Sequence, residues 1–167
     1  MIVLGIDPGY AITGYGLVNY QKNHFDCLDF GVIATAAATP FPLRLLTIAQ
    51  QLELLINQWH PDAVAVEELF FRRNTTTAMG TAQARGVAVL SGARAGLPVF
   101  EYTPMQVKLA VSGYGRAEKL QVQQMVRVLL NLQNLPKPDD AADALAVAIC
   151  HAHSGNHSNA LAIGGYQ

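Results

Sequence analysis

Residues 1–16 read MIVLGIDPGYAITGYG. Ile2, Val3, Leu4 and Ile6 make an apolar run interrupted only by Gly5, the pattern of a strand covered on both faces. Pro8-Gly9 then breaks it. Asp7 therefore stands where a central strand ends, although aspartate is almost never fully buried unless it is paired or holds a metal. A plain reading is also open, in which Asp7 caps the turn.

The chain around this stretch has 167 residues, half of them hydrophobic and only 14% charged, which suits one domain with a sizeable core and excludes wholesale disorder. No apolar run approaches the roughly 18–20 residues of a membrane span, and no secretory leader pattern opens the chain. Cys27 and Cys150 lie far apart, neither in a CxxC pair, so a cytoplasmic protein with two reduced thiols is expected. The formal net charge is −1, but it is unevenly spread. Residues 1–65 carry −3. Residues 66–127 hold eight Lys and Arg against four Glu, a net +4, and residues 128–167 carry −2. A basic middle flanked by acidic clusters becomes more positive still if the acids bind cations.

The spacing predicts strands over Ile2–Asp7, Thr13–Tyr20 and Phe25–Ala34, the last two joined as a hairpin across the short break at residues 21–24. A helix follows Pro40 and Pro42, with Leu45, Ile48, Leu52, Leu55 and Trp59 as its apolar stripe. The run AVAVE (63–67) reads as a fourth strand and 97–102 as a fifth. Between them lies a helix over 75–95, expected to turn Met79, Ala82, Gly86, Val89 and Ala93 inward. Thr103-Pro104 reads as a helix start, residues 116–132 as a further helix facing Val122, Met125, Leu129 and Leu132 inward, and Pro138 as the start of the last. The inner face of that last helix is expected at Ala141, Leu145, Ala148 and Ala152, and His151, His153 and His157 at a fraying, solvated end. The order β-β-β-α-β-α-β-α-α-α implies one α/β domain over 1–153, built on a mixed five-stranded sheet with helices on both faces. Residues 154–167, rich in Ser, Gly and Asn, read as a flexible tail.

Glu67 ends the fourth strand as Asp7 ends the first, and ligands of open α/β sheets sit beyond strand ends. Asp140 and Asp143 lie three apart on the last helix and so share a face. Two readings stand for these acids. Glu67 can be a solvated loop residue, and Asp139 and Asp140 can simply favour a helix N-terminus. Alternatively, all four acids converge, and bound Mg²⁺ relieves their repulsion. Two such ions about 3.5–4 Å apart serve in-line phosphodiester hydrolysis, one activating water and one stabilising the leaving 3′ oxygen.

The blocks GIDPGYAITGYG (5–16), VAVEELFF (64–71), AQARGVAVL (82–90), PVFEYTPMQVKLAVSGYGRAEKLQV (98–122) and DDAADALAVAI (139–149) resemble the RuvC family of Holliday junction resolvases, in order and over most of residues 2–153. The resemblance implies a ribonuclease H-like fold. It also implies a homodimer that cuts two opposed strands of a four-way DNA junction, leaving 5′-phosphate and 3′-hydroxyl ends, in recombination and repair. It places a catalytic, metal-binding tetrad on Asp7, Glu67, Asp140 and Asp143, with DAADALA selecting Asp140 over Asp139. Mg²⁺ is the implied cofactor, with Mn²⁺ as a substitute, and the RuvA-RuvB branch-migration complex an implied partner.

LFFRRN (69–74) sets two aromatics beside two arginines just after Glu67. Phenylalanine is more often core, yet a loop of this composition also suits base stacking and phosphate contact. The resemblance assigns Phe70 to the junction centre, with Arg72 and Arg73 beside it, and leaves Phe71 without a role. Lys108 and Lys119 would be surface charges on their own; the resemblance sets them near the cleaved phosphate, where they would offset developing charge. Arg116 joins them as a DNA contact. A sugar-kinase-like phosphotransferase shares the Asp-Gly opening but needs a far longer chain. A binding module without activity would lack an acid, and a nuclease for RNA–DNA hybrids would not need the Phe-Arg loop.

Overall fold

The computed structural model describes residues 1–69 and 75–154. The chain runs β1 (Ile2–Asp7), β2 (Ile12–Gln21), β3 (His24–Ala34), α1 (Phe41–Trp59), β4 (Ala63–Glu67), α2 (Thr75–Arg94), β5 (Val99–Tyr102), α3 (Pro104–Ser112), α4 (Lys119–Leu129) and α5 (Asp139–Ser154). This is the order expected from the sequence. The strands form one five-stranded sheet in the order β3-β2-β1-β4-β5. β1, β2 and β3 pair antiparallel, whereas β4 and β5 run parallel to β1. The β2–β3 hairpin closes on Lys22-Asn23, both with positive φ (50° and 62°), the two-residue turn whose twist matches the flanking strands.

Period-two alternation along the strands splits the core in two. Leu4, Ile6, Leu17, Val64 and Val66 face α1 and α2, and pack with Ile48, Leu52, Ile56, Ala84 and Ala88. Val3, Val18, Ala65 and Tyr102 face the other way, against α5 and, outside it, α3 and α4. Helices therefore cover both faces. On α1 the fully buried line is Ile48, Leu52 and Ile56, with Leu45, Leu55 and Trp59 at its margin. On α4, which starts at Lys119 rather than residue 116, the line is Val122 and Val126 with Leu130 beyond, flanked by the expected Met125, Leu129 and Leu132.

Three expectations are corrected. α2 turns Ala84, Ala88 and Ser91 inward, while Met79, Ala82, Gly86 and Ala93 are exposed. The alanines win because only small side chains let the helix approach the sheet; Gly92 sits where a Cβ would strike Val64 and Val99. α5 has no single inner face: every residue from Ala144 to Ala152 is buried, because the sheet lies on one side and α3 and α4 on the other. His151 is consequently core, 3% exposed, with its Nδ1 2.8 Å from the Tyr102 hydroxyl and its ring against Phe100. His153 is exposed, as expected, and lies edge-on to Phe25, while His157 and the tail from residue 155 fall outside the described residues. Among the described residues no helix is long and apolar enough to cross a membrane. Both cysteines are free.

Candidate active site

β1 and β4 are parallel neighbours in register from Val3↔Ala63 to Ile6↔Val66, so Asp7 and Glu67 are the next residues on each strand. Both share strand parity with Val3 and Ala65, which face α5. The two carboxylates thus emerge side by side on that face of the sheet. Opposite Asp7 on β2 stands Gly14, and a Cβ there would collide with the Asp140 carbonyl oxygen. Gly5 and Gly16, also paired, meet the Ala144 carbonyl and Leu145 in the same manner. Glycines on the strands and alanines on the helix let α5 lie backbone to backbone on β1 and β2. Its first two turns, which carry Asp140 and Asp143, are held over the ends of β1 and β4.

The acids act on one another. Burial first, then Glu67, Asp143 and Asp140, push the Asp7 carboxyl up to about 8 despite Lys119. Burial and Asp143 push Glu67 to about 7, against a hydrogen bond with Asp7 and the pull of Lys119 and Lys108. Asp143 is raised by burial too, and opposed by Lys119. Carboxyls raised by burial and by one another mark a site short of positive charge. Lys119, at the start of α4, supplies some: its Nζ donates to Asp143 Oδ2 at 2.9 Å and lies 3.4 Å from Asp139. Asp139 also pairs with Lys137, and it is Asp140 rather than Asp139 that adds to the field at Asp7.

Beside the acids a cleft of about 180 Å³ is lined by Glu67, Lys108, Lys119 and Asp143, with Pro104, Val107 and Val122 as its apolar wall. α3 carries Lys108 and is fixed at its start by a reciprocal cap between Thr103 and Gln106. The four expected acids and both expected lysines therefore meet at one end of the sheet. The donor set is all carboxylate, oxygen chemistry that suits hard divalent cations rather than zinc. Among the described residues, no group of three or more His, Cys, Asp or Glu side chains is already drawn together closely enough to hold a metal ion. Arg116, between α3 and α4, lines a neighbouring pocket instead of this cleft. Phe70, Arg72 and Arg73 lie outside the described residues.

The sequence reading missed what holds the Asp7 turn. The Tyr10 carbonyl accepts from Thr35 Oγ1 (2.6 Å), which accepts in turn from Arg44 Nε (2.8 Å). The Arg44 guanidinium, 4.7 Å above the Tyr10 ring, sits in a residue only 8% exposed. Gly80 of α2 also gives that ring room, and Thr13 Oγ1 donates to the Gly9 carbonyl at 2.6 Å. A lone arginine inside an apolar helix stripe was the available signal.

A mixed sheet in the order β3-β2-β1-β4-β5, with carboxylates closing its two central parallel strands, defines a ribonuclease H-like α/β protein. A sequence profile described as "Crossover junction endodeoxyribonuclease RuvC" matches residues 3–151, and the chain belongs to that family. A relative of that name from Alkaliphilus metalliredigens is 61% identical over 156 residues, covering 93% of this chain and 95% of its own. The solved RuvC of Thermus thermophilus superposes with a TM-score of 0.88 at 38% identity, covering 94% of this chain and 96% of that one. The same protein solved in complex with a Holliday junction substrate gives a TM-score of 0.87 at 35% identity, covering 96% and 98%.

Proposed function

We propose that this chain is a structure-selective endonuclease that resolves four-way DNA junctions by paired phosphodiester hydrolysis, leaving 5′-phosphate and 3′-hydroxyl ends. The observation that carries it is the meeting of Asp7, Glu67, Asp140 and Asp143 with Lys108 and Lys119 at one sheet end, in a chain of this family. Asp7, Glu67, Asp140 and Asp143 would hold Mg²⁺, or Mn²⁺ in its place. Divalent ions held there would supply an activated water and charge stabilisation at the leaving oxygen.

The chain's own residues prepare this. Burial and mutual repulsion raise the Asp7 and Glu67 carboxyls, so both would give up protons in order to hold a cation. Lys119 holds Asp143 in place and, with Lys108, presents two ammonium groups to a phosphate entering the cleft. Phe70, Arg72, Arg73 and Arg116 complete the DNA contacts; for the first three the support is the family resemblance alone.

Resolution of a junction needs two sites facing opposed strands, which a two-fold dimer supplies. α2 is the candidate for its interface. Its exposed positions before Arg94, including Met79 (70% exposed), Gly86 and Leu90 (56%), carry no charge. Action in the cytoplasm with RuvA-RuvB, through a single nuclease domain over 1–153, completes the reading. Nicking of a synthetic four-way junction, beside linear duplex and RNA–DNA hybrid, tests it with and without Mg²⁺. Cutting of the junction alone, stopped by EDTA and by Glu67→Gln, is expected. Equal cutting of linear duplex, or cutting in excess chelator, contradicts it.

A further inference from the structure

We infer that the apolar pocket between α3 and the turn after it is a nucleotide subsite, taking one base of the DNA strand beside the cleaved phosphate. This rests on the reading of the chain as a junction nuclease. The pocket, about 380 Å³, is lined by Met105, Gln106, Leu109, Tyr114, Gly115 and Arg116. It falls in the size range of small-ligand sites, roughly 300–1,000 Å³.

Its place argues for the strand as occupant. α3 is a wall shared with the catalytic cleft: Pro104, Val107 and Lys108 line the cleft, while Met105, Gln106 and Leu109 line the pocket. Met105 and Leu109 lie three before and one after Lys108, on the adjoining strip of the helix. A strand with a phosphate at Lys108 and Lys119 can therefore reach the pocket without leaving the protein surface.

The chemistry agrees. Met105, Leu109 and Tyr114 are 66%, 56% and 56% exposed, an unusual outlay of apolar surface for a free helix end. The Tyr114 ring, though exposed, is carried on an ordered turn. Gly113 ends α3 in the left-handed conformation, the Tyr114 amide donates to Ser112 Oγ at 3.4 Å, and that hydroxyl bonds the Lys108 carbonyl at 2.7 Å. Among the described residues the ring has no aromatic or cationic partner of its own. Arg116 gives the pocket a positive rim, and no carboxylate lines it. A held aromatic, an apolar floor and a cationic rim suit a base with its phosphate better than a protein side chain. Gln106, whose amide oxygen accepts from the Thr103 amide and faces the same recess, gives a base edge a polar partner.

The test uses full-length Glu67→Gln protein, expected to bind without cutting, on a synthetic four-way junction. 5-Iodouracil is placed singly at each position within about three nucleotides of the cut, irradiated, and the adduct mapped by mass spectrometry. One position is expected to cross-link to Tyr114. In the active protein, Tyr114→Leu is expected to weaken junction binding about fivefold, the low end for one stacked base, and to flatten the base preference at that position. A bound junction with no adduct within 105–116, or a Tyr114→Leu protein with unchanged affinity and base preference, overturns the subsite while leaving the nuclease reading intact. Loss of dimer in Tyr114→Leu would overturn it too, assigning the patch to a second copy. A protein that neither binds nor nicks junctions would remove both readings together.

Discussion

α2 and α5 are both rich in alanine and both lie on the same sheet, yet one is buried all round and the other shows solvent an uncharged face. The difference comes from the strands. Under α5, Gly5, Gly14 and Gly16 remove the side chains at the points of closest approach, so backbone meets backbone there. Under α2 the strands present Val64, Val66 and Val99, and only Gly92 makes such a close approach to them. Small residues thus do two jobs. On α5 they set the position of two acids to within a fraction of a helical turn; on α2 they leave a surface to be covered by something else.

Removing charge at the α5 end is expected to give the largest effect. Asp7→Asn, Glu67→Gln, Asp140→Asn and Asp143→Asn should each lower junction cleavage by about a thousandfold or more while gel-shift affinity holds, because a lost ligand charge also lessens repulsion of phosphate. Asp139→Asn should retain most activity. The metal-free protein should respond in the opposite sense. Asp7 has a folded value raised to about 8, so its contribution is fully present below the unfolded range and is lost as pH rises through 8. Asp7→Asn should therefore raise the melting temperature in EDTA at pH 8, and hardly change it at pH 4. A cleavage-competent Asp7→Asn, or one destabilised at pH 8, would break the account of α5 as an acid-positioning helix.

Next come the glycines, where the two helices can be set against each other. Gly14→Ala should cost about 3 kcal/mol or more, since the new Cβ meets a backbone carbonyl that has nowhere to go. Gly86→Ala should instead stabilise the chain by about 0.5–1 kcal/mol, because a Cβ there meets nothing within 4 Å and alanine favours the helix. Urea denaturation of both variants decides it. Leu90→Glu should leave the fold intact and shift sedimentation of the free protein from dimer to monomer. A dimer that survives Leu90→Glu and Met79→Glu together would move the interface away from α2.

The fold was legible because its signals are local. Strand runs that end in Asp7 and Glu67, the hairpin break at residues 21–24 and the Thr103-Pro104 start each state their own structure, and the element order followed from them. The acids were legible for a related reason: a charge closing an apolar strand or interrupting an alanine-rich helix is costly, so its position is informative. What escaped was anything fixed by a distant partner. The inner face of α2 depends on which strand lies beneath it, and its even composition let a stripe through Met79, Ala82, Gly86, Val89 and Ala93 look as good as the true one. Arg44 belongs with Tyr10 and Thr35 only once β1, β3 and α1 have met. The burial of His151 follows from α3 and α4 covering α5, which no pattern within α5 announces.

His151 gives the smallest expected effect, and it separates the two ends of α5. At the N-terminal end, raised carboxyl values make the metal-free protein less stable as pH rises. At the C-terminal end burial lowers the His151 value, so the folded state holds the imidazole neutral while the unfolded chain takes up a proton below about 6.5. Its contribution is thus present above the unfolded value and lost as pH falls through the folded one. Protonation also makes both ring nitrogens donors, which forces the Tyr102 hydroxyl, 2.8 Å away, to act as acceptor. The expected loss is small and falls between pH 7 and pH 5, where the unfolded chain takes up the proton that the buried imidazole refuses. His151→Phe keeps the ring volume against Phe100 but cannot titrate, so its urea midpoint should rise relative to that of the unsubstituted protein as pH falls from 7 to 5. Because Asp7 and Glu67 titrate identically in both proteins, their opposing slope cancels in the difference. Parallel midpoint curves would mean that the imidazole reaches solvent or keeps its charge in the fold, and the C-terminal half of α5 would then be less enclosed than its packing indicates.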